Sequence, residues 1–322
     1  MNSVFYNDIL EYLDLRKGLV VPATYSVDRC ALLSFDQHLV QRGKSARNIS
    51  EEDISSWLDP MRAVISCHTI GSKVRTLRGF LRYLQFNGMD VYIPPVFKTT
   101  EHYIPYVFSE EELARLFAAA DSIRIRKGTI HHLIMPMLLR LLYSCGFRLG
   151  EILAVQVGDV DFTKGIILLR NAKNKKQRIV PMTESLAVML YRYCIAINVM
   201  DNPENYIFPS KLGNRPITKR SVEEWFEALL KKTGIYVRTK KRVRGPCLHC
   251  FRHLFAANSF VQAAKRGYSV NDSVPFLSVY MGHENIWETE RYLKFSSEMF
   301  PELSEPFEAF ADGLFPEVSY ED

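Results

Sequence analysis

His249 and Arg252 have the residue types and the spacing to do chemistry together. They lie three positions apart in the segment HCFRH, so on a helix they share one face. His283 follows in the segment MGHEN, and Tyr292 in ERYLK. Arginine and histidine are donors that hold a phosphate, and tyrosine is one of the side chains that can form a covalent intermediate. The four residues predict a phosphate-binding site that contains a phenol able to act as a nucleophile.

Three consecutive helices are predicted to carry these side chains. The first carries the HCFRH segment, and the apolar residues that follow it supply a side to bury. Asp272 with Pro275 indicates the start of the second helix, and Gly282 stands where a glycine would end it. Asn285, followed three residues later by a glutamate, resembles a capping box that opens a short third helix with Tyr292.

Two further cationic side chains precede this set. Arg148 follows a glycine that ends a strongly apolar helix, and Lys173 lies in the lysine-rich tip of a hairpin predicted between strands at 165–170 and 177–182. Taken together, these features resemble the tyrosine recombinase (phage integrase) family over nearly the whole chain. The motifs that carry the resemblance are CGFRLGE (145–151), AKNKKQRIVPM (172–182), LHCFRH (248–253), MGHEN (281–285) and ERYLK (290–294).

The resemblance implies a role for each of these residues in DNA strand transfer. Tyr292 would attack the scissile phosphate to form a 3′-phosphotyrosyl enzyme, with His249 assisting as general base. Arg148 and Arg252 would bind the non-bridging oxygens and stabilise the developing charge. Lys173 would protonate the leaving 5′-oxygen.

Two more residues complete the implied site. His283 would donate a hydrogen bond to the phosphate, and Glu151 would orient the pocket through His249 or Arg148. Lys175 and Lys176 lie in the same hairpin tip as Lys173 and remain alternatives to it as the acid.

The resemblance implies that no metal, nucleotide or other cofactor is needed, because a phosphotyrosine conserves the bond energy for religation. Zinc remains an alternative use of Cys247 and Cys250, although no second CxxC pair lies nearby.

The predicted fold class is mainly α with a small antiparallel sheet. The resemblance implies a helical, SAM-like core-binding domain and an α+β tyrosine-recombinase catalytic domain. We place the helical core-site DNA-binding domain at 1–96, a linker at 97–107 and the catalytic domain at 108–294. A C-terminal tail at 295–322 is acidic and aromatic, and we expect it to dock on a neighbouring protomer, with docking in its own chain as the alternative.

The charge distribution points to nucleic acid as the partner. The net charge is +5, but 295–322 contains eight acids and no Lys or Arg, so 1–294 carries +13. Two basic clusters are candidate DNA contacts. They are Lys73, Arg75, Arg78 and Arg82 on a predicted helix, and Lys240, Lys241, Arg242 and Arg244 in a loop. A solvated helix face with arginine stems covering the core is the alternative for the first cluster.

The expected function is a site-specific recombinase of the integrase or transposase type, which acts through a Holliday junction. The long separation of Arg252 from His283, about thirty residues, favours a mobile-element enzyme. The expected partner is double-stranded DNA with inverted-repeat core sites. We expect the protein to be a homotetramer on DNA and a monomer without it. Six scattered cysteines favour a reducing cytoplasm, and no 18-residue apolar run predicts a membrane contact. The resemblance implies a bacterial, phage or mobile-element origin. The alternatives are a type IB topoisomerase and a non-catalytic DNA-binding regulator.

Overall fold

A computed structural model describes residues 2–97, 105–170, 177–211, 214–236 and 245–289. The chain divides into two compact units, Met1–Tyr103 and Ile104–Asp322. The division falls inside the segment that the sequence assigns to the linker, 97–107. The assignment of core-site DNA binding to the first unit and of catalysis to the second remains a prediction. In the described ranges, no helix is both long and apolar enough to cross a membrane.

The first unit is helical. Its helices are α1 (Tyr6–Lys17), α2 (Pro22–Gln41), α3 (Glu51–Arg62) and α4 (Cys67–Phe86). Helix α3 begins with a capping box, in which the Ser50 hydroxyl accepts from the Asp53 backbone and the Asp53 carboxylate accepts from the Ser50 backbone. Helix α4 buries one stripe against the other three helices, because its apolar residues recur at helical spacing.

The second unit combines helices with a small sheet. Its helices are α5 (Glu110–Asp121), α6 (His131–Cys145), α7 (Leu149–Leu153), α8 (Glu184–Ala196), α9 (Lys219–Lys232), α10 (His249–Lys265) and α11 (Val270–Met281). Strands β1 (Val160–Asp161), β2 (Ile166–Leu169) and β3 (Arg178–Pro181) pair antiparallel in the order β1-β2-β3. Helix α6 buries eight of its 15 residues and contributes all eight to the core of this unit.

The helices around the candidate site differ in detail from the sequence prediction. Helix α11 begins at Val270 rather than at Asp272, because the hydroxyl of Ser269 accepts from the Asp272 backbone and caps the helix earlier. It ends at Gly282 in the left-handed conformation, as predicted. The Asn285 side chain accepts from the backbone of Glu288 at 3.1 Å, as expected at the start of the next helical turn.

Candidate active site

The turn between α6 and α7 brings Arg148 and Glu151 together. Gly146 ends α6 at φ 62°, a conformation that glycine adopts without steric cost, and the chain then turns into α7. Glu151 is the third residue of α7, and its carboxylate accepts from the Arg148 backbone at 3.1 Å and from Arg148 Nη1 at 2.9 Å. The R-x-x-E spacing thus produces a local pair, in which Glu151 orients Arg148.

Arg178, the first residue of β3, completes this pair and was missed by the sequence reasoning. Its guanidinium is bidentate on Glu151, with Nη1 to Oε1 at 3.1 Å and Nη2 to Oε2 at 2.8 Å. The side chains are 9% and 7% exposed, respectively. A signal for it did exist. Arg178 and Val180 alternate with outward residues in the strand, so an arginine at an inward position needs a buried carboxylate.

The two arginines determine the charge state of Glu151. Burial by itself would raise the pKa of this carboxyl, but the hydrogen bonds and charge of Arg178, and then those of Arg148, outweigh it. The net result lowers the pKa of Glu151 to about 2. Glu151 is therefore ionised at neutral pH, and a buried anion stands between two cations.

Arg252 lies in the first turn of α10 and is 1% exposed. Its Nη1 donates to the Gly146 carbonyl and its Nη2 to the Met281 carbonyl, both at 2.7 Å. These carbonyls stand at the C-terminal ends of α6 and α11, where the helix dipoles favour a cation. Arg148 Nη1 donates to the same Met281 oxygen at 3.4 Å, so two guanidinium groups from different elements meet at one point.

His283 joins this arrangement from the turn after α11. Its Nε2 lies 3.2 Å from Arg252 Nη2, and its Nδ1 lies 2.6 Å from the hydroxyl of Thr289, which is fully buried. A guanidinium can only donate, so Nε2 accepts and Nδ1 carries the proton towards Thr289. Thr289 is a second residue that the sequence reasoning did not single out.

His249 occupies a different part of the site. It is exposed at the first residue of α10, three residues before the buried Arg252, and its ring packs edge-on against His253 at 4.8 Å between centroids. The structure thus links Arg148 to Glu151 and Arg252 to His283, joins the two pairs through the Met281 carbonyl, and places His249 on the same helical turn as Arg252. Lys173, Tyr292 and the loop cations Lys240, Lys241, Arg242 and Arg244 lie outside the described residues.

The basic cluster of α4 belongs to the first unit. Arg75 and Arg82 are exposed, and Arg78 is half-buried. Lys73 is half-buried with its Nζ 5.8 Å from the centre of the Trp57 ring, which gives it a packing role within the unit.

Among the residues that the structure describes, no group of three or more His, Cys, Asp or Glu side chains is arranged to hold a metal ion.

The comparison with known proteins decides the family. Residues 107–299, more than half of the chain, match the model of the phage integrase family. The chain belongs to this family. It is 30% identical over 314 residues to a putative integrase/recombinase, y4rB, of Sinorhizobium fredii, an alignment that covers 93% of this chain and 96% of that protein. It is 28% identical over 235 residues to the tyrosine recombinase XerC of Staphylococcus saprophyticus, covering 71% and 72% of the two chains.

Solved structures of phage integrase family members share the fold. A XerH recombinase bound to a palindromic difH substrate superposes with a TM-score of 0.69 at 19% identity, covering 88% of this chain and 80% of that one. A lambda integrase dimer bound to a core site gives 0.66 at 14% identity, covering 99% and 81%. The predicted family and the predicted fold class are confirmed, and so is the enzyme class, a DNA recombinase.

Proposed function

We propose that this protein is a site-specific DNA recombinase of the integrase or transposase type, which cuts and rejoins DNA through a 3′-phosphotyrosyl intermediate on Tyr292. The observation that carries the proposal is the meeting of Arg148, Arg252 and His283. Both guanidinium groups donate to the Met281 carbonyl, at 3.4 and 2.7 Å, and the imidazole lies 3.2 Å from Arg252. Donors fixed in this way suit the oxygens of a phosphate whose charge grows in the transition state.

In the proposed reaction, the phenol oxygen of Tyr292 attacks the scissile phosphorus and the bond from phosphorus to the 5′-oxygen breaks. A phenol with an ordinary pKa of about 10 is a weak nucleophile at neutral pH. His249, exposed at the start of α10, takes the phenol proton, and Lys173 gives a proton to the leaving oxygen. Arg148 and Arg252 donate to the non-bridging oxygens. Attack by a 5′-hydroxyl on the phosphotyrosine reverses the step on the new strand without metal or ATP.

Thr289 allows His283 to serve as a phosphate donor. In the observed arrangement, Nε2 accepts from Arg252. A threonine hydroxyl both donates and accepts, so Thr289 can also hold the opposite tautomer, in which Nε2 carries the proton. When Arg252 turns its Nη2 hydrogen to a phosphate oxygen, His283 can then donate from Nε2 to the same phosphate. Glu151, which Arg178 holds, keeps the guanidinium of Arg148 in position beside Arg252 and His283.

A suicide substrate tests the proposed chemistry. A nicked duplex that loses its 5′-hydroxyl fragment after cleavage should trap a covalent protein–DNA adduct with the wild-type protein. Tyr292→Phe should form none. Tyr280 is a half-buried tyrosine whose hydroxyl donates to the Cys145 carbonyl, and Tyr280→Phe is the matched control that should keep forming the adduct. Adduct formation by Tyr292→Phe would refute the assigned nucleophile. Relaxation of a plasmid that has one site, with no recombination between two sites, would favour a topoisomerase.

The proposed partner is double-stranded DNA with two inverted-repeat core sites, joined by a homotetramer through a Holliday junction in the bacterial cytoplasm. The exposed Arg75 and Arg82, with Arg78, provide phosphate contacts on α4, and Lys240, Lys241, Arg242 and Arg244 provide a second set. The protein is a monomer when free.

We propose that the acidic, aromatic tail 295–322 of one protomer docks on the catalytic unit of its neighbour. A groove of about 870 Å³ lies between α6, α10 and α11. Its lining is mostly apolar and includes Phe255, Tyr268, Phe276 and Leu277, and its charged members are Arg266 and Asp272. Phe276 is 79% exposed, so the groove can accept the aromatic side chains of the tail. Removal of the chain from about residue 296 should reduce recombination more than cleavage, whereas equal losses would contradict a role in linking protomers.

A further inference from the structure

Two cysteines bracket the proposed general base at the start of α10. The sulfurs of Cys247 and Cys250 lie 3.5 Å apart, and the residues between them are Leu248 and His249. The Cys250 backbone donates to the Cys247 carbonyl at 2.9 Å and closes the turn. The Cys247 backbone donates to the Cys250 sulfur at 3.4 Å, so the two ends of the turn are tied in both directions.

This geometry suits a disulfide. A sulfur–sulfur bond is about 2.05 Å long, so the two sulfurs need to approach by roughly 1.5 Å from their observed separation. C-x-x-C at the beginning of a helix is the arrangement in which proteins carry out reversible thiol–disulfide exchange. Cys247 is half-exposed and can meet an oxidant, while Cys250 is 1% exposed and is reached from Cys247.

We propose that Cys247 and Cys250 form a redox pair that closes to a disulfide on exposure to hydrogen peroxide and switches off strand cleavage through His249. The inhibitory effect rests on the proposed function, whereas the disulfide itself does not. The Cys247 sulfur attacks the peroxide oxygen, which gives a sulfenic acid and one water. The Cys250 sulfur then attacks the Cys247 sulfur, and the oxygen leaves as a second water. Two thiols lose two electrons and two protons, and the hydrogen peroxide is reduced to two waters.

The surroundings assign the order of the two steps. The hydrogen bond with the Cys247 sulfur, and then burial, raise the pKa of the Cys250 thiol, so Cys250 keeps its proton. Cys247 is half-exposed and lies two residues before the first residue of α10, so it is the thiol that peroxide reaches first. Burial raises the pKa of Cys145 and of Cys194 to about 12, which makes both poor targets for peroxide.

The disulfide would act on the site through the backbone. Cys250 and Leu248 are both buried in the core, so bond closure is expected to displace the half-buried Cys247 end of the turn rather than Cys250. His249 lies within this turn, between Leu248 and Cys250, and Arg252 lies two residues beyond the buried sulfur. A displacement of about 1 Å in a catalytic group can reduce a rate by about a hundredfold.

Peroxide treatment of the native, full-length protein tests the pair. Peptide mapping without reductant should show one Cys247–Cys250 link, and the mass should fall by two hydrogens. Adduct formation on the suicide substrate should fall by about a hundredfold and return after dithiothreitol. Cys247→Ser, with Cys247→Ala as a second variant, should form no link and keep its cleavage rate in peroxide. Cys30→Ser removes an exposed thiol of the first unit and should behave like wild type.

Two results would overturn the proposal. One is the absence of the Cys247–Cys250 link in protein that is otherwise oxidised. The other is a complete link with undiminished adduct formation. If the reduced wild-type protein made no adduct at all, the proposed function would fail, and the mapping of the link would still report on the thiol pair separately.

Discussion

Replacing Arg178 by methionine should destabilise the second unit, because it leaves a buried carboxylate with half of its partners. Methionine keeps much of the length of the arginine stem and removes both hydrogen bonds to Glu151, at 3.1 and 2.8 Å. Arg148 remains, with one side-chain bond at 2.9 Å. Breaking a buried ion pair by removing one partner costs about 3 to 5 kcal/mol.

The pKa of Glu151 gives an independent measure of how much its ionised form stabilises the folded state. It is lowered from an ordinary 4.5 to about 2, and each unit corresponds to about 1.4 kcal/mol, so the ionised state contributes about 3 kcal/mol. Because the folded pKa lies below the unfolded one, this contribution is fully present above about pH 4.5 and is lost as the pH falls towards 2. The wild-type free energy of unfolding should therefore decrease across that window. Arg178→Met should show a smaller decrease there, because its Glu151 has a higher folded pKa.

Urea unfolding followed by circular dichroism, at neutral pH and through the acid range, measures both effects. Arg220→Met is the matched control, because Arg220 contacts Glu224 at 2.8 Å in a fully exposed pair and its loss should have little measurable effect. A double mutant with Glu151→Gln should be less destabilised than the sum of the single mutants, since the two side chains form one network. If Arg178→Met changed stability no more than Arg220→Met did, the assignment of a buried, stabilising pair would be wrong.

Three further predictions concern the surroundings of the site and the DNA contacts. Gly282→Ala should lower the free energy of unfolding in urea by about 2 kcal/mol, because Gly282 has φ 66° and an added Cβ would lie 2.9 Å from Arg178 Nη1. An unchanged free energy of unfolding would contradict the close packing. Thr289→Val should slow adduct formation on the suicide substrate about tenfold, because His283 loses its 2.6 Å hydrogen-bond partner, while the free energy of unfolding changes by less than about 2 kcal/mol. An unchanged rate would remove Thr289 from the mechanism. Arg75→Gln should weaken DNA binding and reduce the slope of log affinity against log salt by about 1; an unchanged slope would favour a solvated face.

Local features of the fold could be predicted because neighbours in the chain produce them. Ser50 and Asp53 form their capping box because both partners lie within one helical turn. Gly146 and Gly282 end their helices because each must take a left-handed conformation. The pair Arg148 and Glu151 also follows from spacing, since three residues separate them. The predicted start of α11 at Asp272 was wrong, because Ser269 caps the helix and it begins at Val270.

The remaining partners of the site depended on contacts that spacing does not encode. Arg178 meets Glu151 across 27 positions, and Arg252 meets the Gly146 carbonyl across 106. Such pairs form only when a hairpin and two helix ends are packed on a common core. The spacing of the motifs did not single out Arg178 among the cations near it, and its inward position in β3 is the one feature that distinguishes it.

By itself, the sequence determined the residue types and their order, and the motifs that these residues form predicted the family. The tertiary structure alone decided which groups touch. It brought two guanidinium groups to the Met281 carbonyl and buried Glu151 between two arginines. The physical reason is that hydrogen bonds and ion pairs act over a few ångströms, and only packing brings distant parts of a chain within that range.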